Sequence, residues 1–458
     1  MPLSPRPPHT SGAPPHRARR APGEGLHPGF SNEERLGLEK IFAQMHTSAA
    51  KDLRRIHTAL DAEGLASGLW GVWYGRELIG QNAQTVFGDG LITHLAARRT
   101  QVALTLLRLF AVVAPPPYDR RAGRAAGVLS AAGLPEPPWA GDLGTARPTR
   151  AFILRDPVHD DAASVFVGFE QAGAEHTISV LIDFNQGGIA KDVLVIPASP
   201  DEIEARARSQ DRDGGEVAAI SLAEAAARAS AAFAETDRIW EPELAQTFRS
   251  FNALARARTR LLPRGGKVPS PRPPSKARRT ALLAGFCRDD LTADLRRRLA
   301  PDDLEYLGEA ALSFSLDYTA GTPLRFSPVM VEIFCRFWAP SKLTVEPEIL
   351  AALPDVLRAW IAFAGRTRDL PAAAVGESIQ AVARWQGELI TASRDPANWG
   401  PAKTLVTAML DRGIDPMDRE AVDAFVEETN RRGGLDALRH EPEPDKVIPM
   451  PRKPKRRH

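Results

Sequence analysis

Apolar side chains recur at steps of three and four along most of this chain, and that spacing predicts helices. The first opens at Ser31, which precedes Glu34 by the three residues that a capping box requires. Phe42, Met45, Ala49, Leu53, Ile56 and Leu60 then mark the buried face of one long helix. From Leu69 to Ala132 the period stays helical. Trp70, Trp73 and the run Val102 to Val113 supply core material there, until Pro135, Pro137 and Pro138 end the pattern.

Beyond those prolines the period changes to two. Residues 151–154, 165–170, 176–184 and 192–196 are rich in β-branched and aromatic residues, and Ile178, Val180, Ile182 and Phe184 alternate with Thr177, Ser179, Leu181 and Asp183. Gln171 to Glu175 and Asn185 to Gly188 have the composition of hairpin turns, so an antiparallel meander of three or four strands is predicted. Two helices downstream are expected to cover it. Ser199, Pro200 and Glu202 announce the first, while Ser221 and Glu224 announce a second running to Leu262. Residues 280–433 then read as helices throughout. Ser327 before Pro328 starts one whose Met330, Ile333, Phe334, Phe337 and Trp338 face inward. Others begin near Pro354, Pro371, Pro401 and Pro416, with Gly413, Gly433 and Gly434 as stops. The fold class is therefore α+β and predominantly helical: a small antiparallel β-meander packed on helices, then a separate all-helical C-terminal domain.

Charge refines the boundaries. The chain of 458 residues carries a net charge of +2. Residues 1–30, 264–279 and 452–458 carry +3, +6 and +5, which leaves −12 for the remainder. The expected organisation is a disordered Pro/Arg-rich arm at 1–30, a helical segment at 31–140 and the meander with its helices at 147–263. A basic Pro-rich linker at 264–279, the helical domain at 280–435 and a disordered basic tail at 436–458 complete it. Cys287 and Cys335, the only two cysteines, exclude a disulfide framework and read as reduced core residues. The apolar run Val102 to Ala114 is too short to span a bilayer, and the N-terminus lacks the apolar stretch of a signal peptide. A cytoplasmic location, with no membrane partner, is expected.

Candidate chemistry is sparse. No phosphate-binding glycine loop, dinucleotide fingerprint, HExxH or GxSxG motif occurs. No cofactor is called for, and no metal site is assigned. The one polar cluster lies on the β region: Asp156, His159, Asp160, Asp161, His176, Asp183, Asn185, Lys191 and Asp192. Within it His159, Asp183 and Asp192 are the candidate catalytic residues, because carboxylates beside a neutral imidazole serve either acid–base work or a divalent ion. The same residue types also build ordinary turns, whose backbone groups they cap. Trp360 with Val356, Ile361 and Phe363, and Trp385 with Val382 and Leu389, lie on apolar helical faces and read as core, whereas Trp399 sits in the loop Asp395 to Gly400. Trp240 and Trp338 read as core like them, and His94 and His440 stand singly.

Three segments, GLWGVWYG (Gly68 to Gly75), DFNQGGIAKD (Asp183 to Asp192) and ANWGPAK (Ala397 to Lys403), resemble a group of uncharacterised proteins from high-GC Gram-positive bacteria. The similarity covers roughly residues 65–200 and 300–432. It implies a multi-domain, mostly helical cytosolic protein, and no activity. Some proteins of that kind end in a cysteine-rich zinc tail, for which this C-terminus has no cysteine. The leading functional expectation is a non-catalytic interaction or regulatory protein with a protein partner. The alternatives are a metal-assisted hydrolase built on the β-region cluster, and an accessory protein binding nucleic acid weakly and nonspecifically through its basic arms.

Overall fold

A computed structural model describes residues 30–435 and 438, apart from 79–80, 211–214, 240–241, 269–273 and 321. The architecture is α+β and mostly helical, and its C-terminal region is entirely helical, in agreement with the periodicities. The chain divides into two compact units. The first takes the chain to Arg147 together with Glu170–Ala174 and Leu244–Leu261; the second takes Pro148–Phe169, Glu175–Glu243 and the chain from Leu262 onward.

Helix α1 (Asn32–Leu53) begins with the expected capping box, Ser31 N–H reaching Glu34 Oε2 at 2.6 Å and Glu34 N–H reaching Ser31 Oγ at 3.3 Å. It does not continue to Leu60. Thr58 accepts the Asp61 N–H at 3.1 Å and starts a new helix, α2 (Ala59–Gly71), so the single long helix is two. Apolar period alone could not show this, because the break falls between two apolar positions, Ile56 and Leu60. Short strands β1 (Glu77–Leu78) and β2 (Gln81–Asn82) lead into α3 (Ala83–Ala97), α4 (Gln101–Val113) and α5 (Tyr118–Ala131). Gly88 permits the close approach of α3 to Tyr118, since a Cβ there would lie 2.6 Å from the tyrosine ring.

The meander forms as β3 (Arg147–Arg155), β4 (Ala162–Gln171), β5 (Ala174–Asp183) and β6 (Ile189–Ile196). Gly187 and Gly188, both with positive φ, make the last turn possible. Helix α6 (Pro200–Gln210) lays Ile203 against Phe152 and Phe166. A fifth strand, β7 (Glu216–Ile220), pairs antiparallel with β3 and gives the order β6-β5-β4-β3-β7. Its two central alanines carry little strand preference, which hides it in the sequence. Helix α7 (Leu222–Arg238) places its Thr236 hydroxyl against the edge strand β6, where it accepts the Ala190 N–H at 2.9 Å. The predicted run from α7 to Leu262 is interrupted. Pro242, which lacks the N–H of a helical hydrogen bond, lies between the two, and α8 (Gln246–Thr259) starts afresh as part of the first unit.

Helix α8 completes a buried ion pair in the first unit. Arg258 Nη2 lies 2.5 Å from Glu63 Oε2 and 2.8 Å from Gln171 Oε1, while Glu63 Oε1 accepts from Gly144 N–H (2.9 Å) and Gln171 Nε2 (3.1 Å). The two charged side chains are 1% and 0% exposed.

The C-terminal helices are α9 (Lys276–Arg288), α10 (Leu295–Arg298), α11 (Pro301–Ser313), α12 (Pro328–Ile333), α13 (Ala339–Lys342), α14 (Pro347–Thr367), α15 (Ala372–Arg394), α16 (Pro401–Asp411) and α17 (Arg419–Arg431). Helix α9 starts within the basic stretch 264–279, and its Arg279 pairs with Asp317 and Glu309. The helix expected near Pro354 begins seven residues earlier at Pro347, leaving Pro354 inside it, and the one expected near Pro416 begins at Arg419 behind the Asp418 cap. Met330, Phe334 and Trp360 are fully buried as expected, but Phe337 is 60% exposed. It lies in a π-helical turn, Phe334–Trp338, whose wider spacing rotates it off the α-helical stripe. The basic segments 1–29 and 452–458, Trp240 and His440 lie outside the described residues.

Candidate functional site

A meander returns alternate turns to the same end of its sheet. The loops Asp156–Asp161 (β3 to β4) and Asp183–Gly188 (β5 to β6) therefore meet at one end, and much of the predicted polar cluster meets with them. His176 does not. It opens β5 seven residues from Asp183, about 23 Å along the strand, and stacks on Phe169.

The partner that joins the loops is a residue the sequence did not single out. Arg325, 0% exposed, donates from Nη1 to Asp161 Oδ1 and Asn185 Oδ1, each at 2.7 Å, and from Nε to the Ala320 carbonyl at 2.9 Å. Its Nη2 has no hydrogen-bond acceptor among the described residues. Ser327 donates its hydroxyl to the same Asp161 oxygen at 2.6 Å. Asp160 Oδ2 accepts both the N–H and the hydroxyl of Thr322, at 2.8 and 2.6 Å. Backbone bonds finish the joint: Phe184 N–H to Asp161 O at 2.9 Å and Ala320 N–H to Phe184 O at 2.8 Å. Asp160 and Leu324 hold positive φ on the two facing segments, a strain that such a bonded joint can sustain. Burial pushes the Asp161 carboxyl above its usual range, against the opposing pull of Ser327, Arg325 and Asn185, and burial also lowers the Arg325 guanidinium.

The three candidate residues go to different partners. Asp183 accepts from Lys191 Nζ (2.7 Å), Asn185 N–H (2.9 Å) and Gln186 Nε2 (3.3 Å). Asp192 stands opposite Leu181 in the β5–β6 register and accepts its neighbour's Val193 N–H at 2.7 Å. His159 Nε2 lies 3.4 Å from Glu377 Oε2, a residue 218 positions away. Among the described residues, no group of three or more His, Cys, Asp or Glu side chains is placed to hold a metal ion.

Beside this joint the second unit opens a cleft of about 860 Å³. Its walls are largely apolar: Leu154, Leu181, Ala207, Pro371 and Ala373 among them. Asp156, His159 and Glu377 supply polar groups, and Arg155 lines it while paired to Glu216 at 2.8 and 3.0 Å. Arg325, Ser327, Thr322 and Glu377 were not legible as site residues. Their partners in the joint and cleft lie more than 130 positions away, and the one local signal among them, the helix start at Ser327, points to a cap and not to a site.

Compared with protein-family models, with curated proteins and with solved structures, the chain matches none.

Proposed function

We propose that the protein is a non-catalytic interaction or regulatory protein, that the cleft of the second unit is its recognition site, and that it works in the reducing cytoplasm. The observation that carries this reading is how the polar cluster spends its groups. Asp160 and Asp161 each hold two side-chain hydrogen bonds that pin their loop to Thr322, Arg325 and Ser327, and Asp183 spends three within its own hairpin, so the cluster serves as a joint. The cleft beside it offers apolar walls with a few polar groups, the composition of a binding site. Two free cysteines, Cys287 and Cys335, are in keeping with a reducing compartment.

One observation favours a second reading, hydrolysis. The His159 imidazole faces the Glu377 carboxylate inside the cleft, the arrangement of an oriented acid–base pair. Cross-linking capture of partners in cells making the chain, comparing the parent with Ala207→Trp, separates the two. Filling the cleft is expected to remove captured proteins in the recognition reading. Capture that Ala207→Trp leaves unchanged, together with turnover of ester or phosphate substrates that His159→Gln abolishes, would replace recognition by hydrolysis.

A further inference from the structure

We infer that the cleft takes an aliphatic amine, its ammonium held by Asp156 and Glu377 and its alkyl chain laid along the alanine and leucine walls. This rests on the reading of the cleft as a recognition site and adds the chemistry of what it recognises. Both carboxylates have an oxygen to spare. Asp156 Oδ1 accepts the Val158 N–H at 2.7 Å and Glu377 Oε2 faces His159 Nε2, while Asp156 Oδ2 and Glu377 Oε1 hold no hydrogen bond among the described residues. The one arginine or lysine lining the cleft, Arg155, is already held by Glu216 through two of its nitrogens. Arg368 donates to the Val158 carbonyl and is not part of the lining, though Asp156 is among the carboxylates that act on it, with Asp160 and Asp161. The lining therefore presents two carboxylates against one paired arginine and the His159 imidazole that faces Glu377, and a cationic head is what complements it.

The rest of the lining sets the body of the ligand. Leu154, Val158, Leu181 and Pro371, with alanines at 162, 163, 207, 373 and 374, offer no side-chain donor or acceptor, and the Ser164 hydroxyl is the one neutral polar side chain among them. Each methylene buried there is worth about fourfold in affinity. An unbranched alkyl chain fits walls built mostly of small residues better than a polar body does, because a polar body would lose water without regaining hydrogen bonds.

Titration calorimetry of the full chain with hexylamine, hexanol and hexanoate tests this, since the three probes share a chain and differ in charge. Hexylamine is expected to bind about fivefold more tightly than hexanol, the scale of a partly exposed ion pair, with hexanoate weaker still. Asp156→Asn and Glu377→Gln, which keep the acceptors for Val158 and His159, should each bring hexylamine toward hexanol and leave hexanol unchanged. Ala207→Trp should remove all binding, and Ala373→Trp, on the exposed first turn of α15, fills the cleft from the other wall should the first variant not fold. Equal binding of the three probes, all lost on filling the cleft, would overturn the amine proposal and leave the recognition site standing. Binding of no probe, or binding indifferent to both tryptophans, would overturn the recognition site as well.

Discussion

Each unit buries an arginine against a carboxylate, and the two sites are built differently. In the first, both oxygens of Glu63 are hydrogen-bonded, Gln171 bonds both charged partners, and Glu63 and Arg258 are sealed from solvent. In the second, Arg325 is sealed but Asp161 is 23% exposed, one guanidinium nitrogen lacks an acceptor among the described residues, and two non-glycine residues hold positive φ. A closed network of the first kind stabilises a core and offers nothing to a ligand. An incompletely closed one is where loops, strain and a cleft gather, and it is the one that borders the candidate site.

The largest expected effect falls on the closed network. Glu63→Ala takes from the buried Arg258 the carboxylate that it holds at 2.5 Å, which should cost about 3–5 kcal/mol in urea denaturation, with hydrogen exchange rising first in α2 and α8. A cost below about 1 kcal/mol would mean that water reaches Arg258. A purely apolar control of similar size is Trp360→Ala or Phe334→Ala, each of which opens a cavity in the C-terminal core and should cost about 3–5 kcal/mol. Melting with the parent would show that the helix face is misassigned.

Asp161→Asn should be milder, about 1 kcal/mol, because the amide oxygen still accepts from Ser327 and Arg325. Its signature is in the pH dependence. The folded carboxyl titrates above the ordinary 3.8, so just above that pH the folded chain holds more protons than the unfolded one. This group's contribution to stability therefore falls as pH rises through the window, and the asparagine variant should lack that slope. An identical slope in both proteins would assign it to other carboxylates.

The same comparison extends to a buried cation with no carboxylate partner in its hydrogen bonds among the described residues. Lys403 Nζ donates to the carbonyls of Pro340 (2.8 Å) and Ser393 (3.1 Å) and lies 5.1 Å from the Trp399 ring. Without such a counter-charge, burial brings its pKa from 10.5 down to about 8. Between those values the folded chain binds fewer protons than the unfolded one, so stability should rise with pH there, and Lys403→Met should remove the rise. A parent profile as flat as that of the variant would place Lys403 in contact with water.

How much of this could be read from the sequence follows from distance along the chain. The loops Asp156–Asp161 and Asp183–Gly188 were legible, because period-two alternation locates strands and the residues between them make turns. That a meander returns both to one end follows from topology alone. Arg325 was not legible: its bonds to Asn185 and Asp161 cross 140 and 164 positions, and nothing local distinguishes it from the chain's other arginines. The same holds for Arg258, 195 positions from Glu63. Trp399 shows the opposite case. Its loop looked unexplained, yet its indole N–H finds the Ser393 carbonyl at 2.9 Å, a partner only six residues back.

On the proposed reading, the joint holds the second unit together while recognition occurs in the cleft beside it. Partner capture and thermal melting, measured together on Asp161→Asn and Ala207→Trp, test it most directly. Asp161→Asn is expected to melt lower and keep its captured partner, and Ala207→Trp to melt near the parent and lose it. Loss of capture in Asp161→Asn with its melting unchanged, and normal capture in Ala207→Trp, would contradict the account and make the joint itself the functional site.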